Sequence, residues 1–259
     1  MALGPAASRH RTRDFKILGS KMADYGVSGA SAIPIPISVY LVRTPSFVQR
    51  CLSSYTWRGA KTDRVVYLTF DDGPIPEVTP WVLEQLAAYN AAATFFCVGE
   101  NVARHPELHA RLLAEGHSVG NHTYNHLNGW SSDIQDYLAN VARCAEVVDS
   151  KLFRPPYGRL SPRKAQLLQR EYRIVMWDVL SGDFDPDLAP TDCLDNVLCN
   201  VQPGSIVVFH DSLKSERNLR YVLPRTLAAL SARGYRFEAI EEARTRPSDT
   251  RREVAALVG

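Results

Sequence analysis

Val65-Val66-Tyr67-Leu68-Thr69-Phe70-Asp71-Asp72-Gly73-Pro74 is an apolar run that stops on two carboxylates and a Gly-Pro turn. Its first six residues are β-branched, aromatic or leucine, with almost no polar alternation. That composition suits a strand buried on both faces, and such strands belong to parallel sheets covered by helices. The sequence downstream supplies the helices. Thr79-Pro80 offers an N-cap followed by proline at the first helical position, which predicts a helix through Tyr89 with Val82, Leu83, Leu86 and Ala87 as its apolar face. Further strands are expected at 93–98, 117–120, 174–177, 205–210 and 235–237, with another ending near Phe153. Helices are expected near 106–115 (ended by Gly116), 133–149, 161–170 and 191–200, with a last one ended by Gly234. This alternation fits an α/β fold with a parallel sheet, either a (β/α) barrel or a doubly wound open sheet. The glycine patterns that cradle phosphates in nucleotide-binding folds are absent, which favours the barrel.

The 259 residues carry a net charge of +2, 45% hydrophobic and 22% charged residues, the balance of a globular protein with no call for nucleic acid as partner. No run reaches the ~18 consecutive apolar residues of a membrane span. Residues 1–40 read as a non-core extension, 41–63 as a lead-in, 64–240 as the domain and 241–259 as a tail. Arg9, Arg11, Arg13 and Lys16 ahead of the segment 30–37 only partly imitate a signal peptide, because Asp14, Asp24, Pro34 and Pro36 break the pattern. A cytoplasmic location is therefore expected, with the cell envelope as the alternative. Five cysteines without a CxxC pair argue against a disulfide framework. A monomer is expected.

Polar clusters fall where strands give way to loops, which in a β/α barrel is the active-site face. Asp71 and Asp72 end the first strand, and adjacent carboxylates there can divide metal binding from proton transfer. His122 and His126, at i and i+4, can face one ion if the backbone is helical or turned. With Asp72 they make a His-His-carboxylate set that leaves a metal an open position. Arg154-Pro155-Pro156-Tyr157 is held rigid by its prolines. Among Asp178, Asp183, Asp185 and Asp187, most are expected to be solvated, and His210 closes a strongly apolar strand.

Together these segments resemble the polysaccharide deacetylases with the nodulation-protein-B homology domain, carbohydrate esterase family 4, over about residues 64 to 240. Thr69-Phe70-Asp71-Asp72-Gly73-Pro74 is similar to the family's first motif and His122-Thr123-Tyr124-Asn125-His126 to its second. Arg154-Pro155-Pro156-Tyr157 resembles the third, Asp183 the core of the fourth and Val208-Phe209-His210 the fifth. The resemblance implies a distorted, incomplete (β/α) barrel of about seven parallel strands. It implies a hydrolase that removes the N-acetyl, alternatively O-acetyl, group of an amino sugar or polysaccharide, with an acetylated glycan as partner. Asp72, His122 and His126 would hold a divalent ion, usually zinc, with cobalt or nickel acceptable to the same donors. Asp71 would be the general base with Arg154 beside it, the Tyr157 amide an oxyanion donor, and His210 the acid governed by Asp183.

Two positions depart from the pattern: Phe184 stands where the family usually has Trp, and Val208 where it usually has Leu. Both help shape the acetyl pocket in the family, as Pro156 and Tyr157 line the substrate side. Trp130 is a candidate for stacking on a sugar ring, or equally for packing. Alternatives from other classes are a non-catalytic glycan-binding relative and another metal-assisted amide hydrolase on the same fold.

Overall fold

A computed structural model describes residues 40–60 and 64–242. The expected extension and tail lie outside the described residues, apart from Tyr40, Glu241 and Glu242. Strand β1 (Val65–Asp71) is central, pairing in parallel with β2 (Thr94–Cys97) and with β7 (Ile206–His210). Beyond β2 follow β3 (Ser118–Asn121), β4 (Leu152–Phe153) and β5 (Arg173–Ile174); beyond β7 lies β6 (Val179–Leu180). A further strand, β8 (Arg236–Phe237), pairs with the first two residues of β1, off the main path.

The order β5-β4-β3-β2-β1-β7-β6 is that of a ring cut once, between β5 and β6. A doubly wound sheet would instead reverse direction near its middle. The seven parallel strands therefore form a curled half-barrel, the distorted and incomplete barrel expected. Helices α1 (Ser46–Cys51), α2 (Thr79–Ala87), α3 (Gly99–Arg104), α4 (Pro106–Ala114), α5 (Ile134–Ala145), α6 (Pro162–Leu168), α7 (Pro190–Leu198) and α8 (Glu216–Ala232) accompany it. Proline occupies the first turn of α2, α4, α6 and α7, where its missing N–H costs nothing. No helix among the described residues is long and apolar enough to cross a membrane.

Three expectations need correction. The strand expected at 174–177 is not continuous: β5 ends at Ile174 and β6 starts at Val179, on opposite sides of the cut. Backbone groups at this seam need partners, and the lead-in supplies them. Thr56 N donates to Ile174 O at 2.8 Å, Met176 N to Thr56 O at 2.8 Å, and Leu180 N to Val42 O at 2.8 Å. Second, Thr79 is not an N-cap: Val78 holds that position, and the Thr79 hydroxyl is drawn off to Asp211 at 2.6 Å. Third, of the four loop acids expected to be mostly solvated, two are buried: Asp183, which already had a role beside His210, and Asp178, which had none. Asp178 accepts from Ser205 Oγ and Ile206 N and faces Arg58 at 3.4 Å.

Side-chain alternation along β1 sets the site. Val66, Leu68 and Phe70 enter the large core with Leu83, Leu86, Val222 and Leu227 of the helices. Phe70 stacks on Phe95 at 5.0 Å and lies 5.8 Å from Phe209. Each fully buried Phe or Leu stabilises the fold by roughly 1.5–3 kcal/mol. The opposite phase, Tyr67, Thr69 and Asp71, points inward, as does Ile206, Val208 and His210 of β7. Phe96, Leu152, Val175 and Ile206 fill the interior, so the polar ends of these rows meet at the C-terminal mouth.

Candidate active site

Asp71 and His210 are directly opposed in the β1–β7 register, and the remaining groups converge on them from other strand ends. Asp72 follows Asp71 with φ 81°, a left-handed backbone that swings its carboxylate away from that of its neighbour. Two hydrogen bonds hold this turn from the β2–α3 side: Asn101 Nδ2 donates to Asp72 O at 2.7 Å and Val98 N to Gly73 O at 3.0 Å.

The histidine pair is turned, not helical. Asn121 ends β3, Thr123 has φ 65° and His126 φ 59°. Asn121 Oδ1 accepts from Thr123 N at 2.9 Å, Thr123 Oγ1 from Leu127 N at 3.0 Å, and Asn140 Oδ1 of α5 from Tyr124 N at 2.8 Å. This bracing sustains two strained residues that cost of order 1–3 kcal/mol each. Ligand atoms of Asp72, His122 and His126 come within 4.8 Å of one another. Asp72 Oδ1 is 3.1 Å from His126 Nε2 and 3.8 Å from His122 Nε2. The oxygen is buried yet has no well-aligned hydrogen bond, as expected of atoms converging on a third point rather than on each other.

His122 Nδ1 lies 2.8 Å from Arg154 O. A proton on Nδ1 donated there leaves the Nε2 lone pair facing Asp72. Burial pushes the His122 imidazole down to about 4, so the ring is neutral at ordinary pH, the form a metal requires. Burial would raise the Asp72 carboxyl, but the His126 ring 3.1 Å away and the nearby His210 and His122 outweigh it and hold the group ionised. The donor set, two nitrogens and one oxygen, fits a divalent metal ion.

Asp71 is buried and its Oδ1 accepts from Arg154 Nη1 at 2.7 Å. Arg154 is fully buried with each nitrogen engaged: Nε on Val175 O, Nη1 also on Thr69 Oγ1, and Nη2 on Met176 O. Its guanidinium lies 4.0 Å from the Phe96 ring centre. The seam residues thus orient the arginine that orients Asp71. Opposite, Asp183 holds His210 twice, accepting from the backbone N at 2.8 Å and contacting ring Nδ1 at 2.8 Å. Burial alone would lower His210, but the Asp183 charge and hydrogen bond, helped by Asp72 and Asp71, raise it to about 9.

Around this centre, Tyr157 has φ 60° and an exposed ring, packed 4.5 Å edge-on to His126, while Pro156 is buried. Phe184 lies 5.2 Å edge-on to His210. Val208 is buried two residues below His210. Trp130 is 65% exposed with Arg159 5.5 Å from its ring. Its loop is held by buried Lys164, whose Nζ donates to Gly129 O and Ser132 O.

Asp211 was visible in the sequence beside His210 but carried no assigned role. It is fully buried under the Asp72 turn, accepting from Gly73 N at 3.1 Å and from the Thr79 hydroxyl. A side chain at Gly73 would collide with this carboxylate. Burial, with the Asp72 charge nearby, pushes Asp211 up to about 8. Asn101 and Asn140 were likewise unmarked; an isolated Asn on a helix carries no signal until its partner is placed.

Comparison with known proteins agrees with this geometry. The polysaccharide deacetylase family matches residues 58–174. The chain is 34% identical over 197 residues to a peptidoglycan-N-acetylglucosamine deacetylase of Bacillus cereus, covering 72% of this chain and 91% of that protein. It is 31% identical over 200 residues to a chitooligosaccharide deacetylase of Azorhizobium caulinodans, covering 68% and 92%. Against some relatives the span is shorter, 39% of the peptidoglycan-N-acetylglucosamine deacetylase PgdA of Listeria monocytogenes. A crystal structure of a peptidoglycan N-acetylglucosamine deacetylase superposes with a TM-score of 0.70 at 31% identity, covering 76% of this chain and 95% of that one.

Proposed function

Because the chain belongs to the polysaccharide deacetylase family, and is a glycan deacetylase by that membership, we propose that it hydrolyses the N-acetyl group of an amino sugar in peptidoglycan or a chitooligosaccharide. The reaction is metal-dependent and releases acetate. One juxtaposition supports this most directly: the Asp72–His122–His126 trio shares a strand-end mouth with an arginine-paired Asp71 and an aspartate-clasped His210.

Asp72, His122 and His126 hold the divalent ion, most simply zinc. When bound, such an ion supplies Lewis acidity toward the acetyl carbonyl and acidifies water. Asp71 takes the proton of the attacking water at Oδ2, since Oδ1 is occupied by the Arg154 guanidinium. The Tyr157 backbone N–H donates to the developing oxyanion, an effect worth ~3 kcal/mol per donor. His210, with Nδ1 turned to Asp183, delivers its proton from Nε2 to the leaving amine. Phe184 and Val208 give the acetyl methyl an apolar wall, and Trp130 offers a face to a neighbouring sugar ring.

Acetate release from peptidoglycan, chitooligosaccharides and acetylated xylan, with zinc, with cobalt and after chelation, tests this directly. Release from the N-acetylated substrates, lost on chelation and restored by metal, is expected. Full activity in chelated protein, or in Asp71→Asn, would refute the mechanism.

A further inference from the structure

Phe184 packs its ring edge-on to His210, and its neighbours explain how that ring is fixed. The backbone on either side is held by Asn218, whose Nδ2 donates to Asp183 O at 3.2 Å and Asp185 O at 2.9 Å. Those bonds leave the Phe184 side chain free to rotate. Its ring is instead sandwiched: His210 lies 5.2 Å away on one side, and Tyr40, the last residue of the expected extension, lies 5.2 Å away on another. Lys214 reaches the same ring only at 5.6 Å, from an exposed position.

Tyr40 is itself tightly located. Its hydroxyl donates to Asp185 Oδ2 at 3.1 Å, in the loop that carries Asp183 and Phe184. Gly182, with φ +79°, has no room for a side chain, because a Cβ would stand 2.9 Å from Tyr40 Oη and 2.8 Å from Leu188. Just after Tyr40 the chain is bonded to the seam: Leu180 N to Val42 O, Thr44 N to Asp178 O, and Thr44 Oγ1 to Trp177 O.

We propose that Tyr40 is a positioning residue that locks Phe184 edge-on against His210 and so sets the width of the acyl pocket. Tyr40, counted with the non-core extension by the sequence, is then part of the site. This rests on the deacetylase reading given above.

The test compares Tyr40→Ala, Tyr40→Leu and Tyr40→Phe with the wild type in the full chain. Two readouts are used: the ratio of kcat/KM for N-acetyl over N-propionyl chitooligosaccharide, and the His210 ring resonances in NMR spectra of metal-free protein. Tyr40→Leu, which keeps apolar bulk, decides the matter if Tyr40→Ala does not fold. Losing the flat ring should lower the acetyl preference about three- to tenfold, the range an aromatic pair supports, and should move the His210 resonances. Tyr40→Phe, losing one partly exposed hydrogen bond, should stay within about twofold of wild type. Phe184→Trp should impair the wild type, where Tyr40 fills the space, but restore acetyl preference in Tyr40→Ala. Unchanged selectivity together with unmoved His210 resonances would overturn the proposal. If the wild type itself releases no acetate, the deacetylase reading fails. The resonances still decide the positioning claim then: a shift upholds it and no shift overturns it.

Discussion

Replacing Asp183 with Asn removes one charge and keeps the shape of the site. The Asn Oδ1 can still accept from His210 N, so the loop should hold, but the imidazole loses its main counterion. Raising His210 from 6.5 to about 9 corresponds to about 3 kcal/mol in favour of the charged ring. Without Asp183, burial acts against the charge, and the ring should titrate at or below its ordinary 6.5. At pH 8 the charged fraction then falls from roughly 90% to about 3%, a loss of about thirtyfold in available acid. The alkaline limb of the kcat/KM profile for acetate release should move down accordingly, with partial recovery near pH 6. Stability responds with a definite sign. The folded value lies above the unfolded one, so this contribution is fully present below pH 6.5 and lost as pH rises through about 9. Asp183→Asn should flatten that dependence in thermal melts. A bound cation would repel the imidazolium, so NMR titration of His210 in metal-free protein isolates the Asp183 effect. An unshifted His210 titration in the variant would refute the reasoning.

Arg154→Ala strands Asp71 in a buried position without its partner, and should destabilise the protein by about 3–5 kcal/mol, read by denaturant unfolding. Arg154→Lys should not rescue it, because one ammonium cannot reach Asp71, Thr69, Val175 and Met176 together. Asp211→Ala frees the Gly73 amide and Thr79, loosening the Asp72 turn, and should weaken zinc binding about 10- to 100-fold by calorimetry. Trp130→Ala should raise KM for oligosaccharides by up to about tenfold while leaving kcat and the KM for a monosaccharide unchanged, which would separate sugar stacking from packing.

Much was determined by the sequence alone. The runs 65–71 and 206–210 read as strands and form them, because short continuous stretches of β-branched and aromatic residues suit strands buried on both faces. Prolines and glycines marked the helix ends, since their backbone limits are local. Asp71, Asp72, His122, His126, Arg154, Asp183 and His210 could be singled out as candidates because their motifs keep residue type and order along one chain. Other features were decided only by the tertiary structure. The strands on either side of the seam are two residues each, too short to show a period, and their breakpoint depends on where the curled sheet fails to close. Tyr40, Asn101, Asn140 and Asp211 act through partners 16 to 145 positions away, and pairwise contacts across such separations leave no trace in local pattern. The proton on His210 and the neutrality of His122 arise in the same way, from charges and burial assembled by the fold. Local chemistry named the groups beside Asp71 and Asp72. The left-handed turn at Asp72, held from below by Asp211, is what separates the two carboxylates in space.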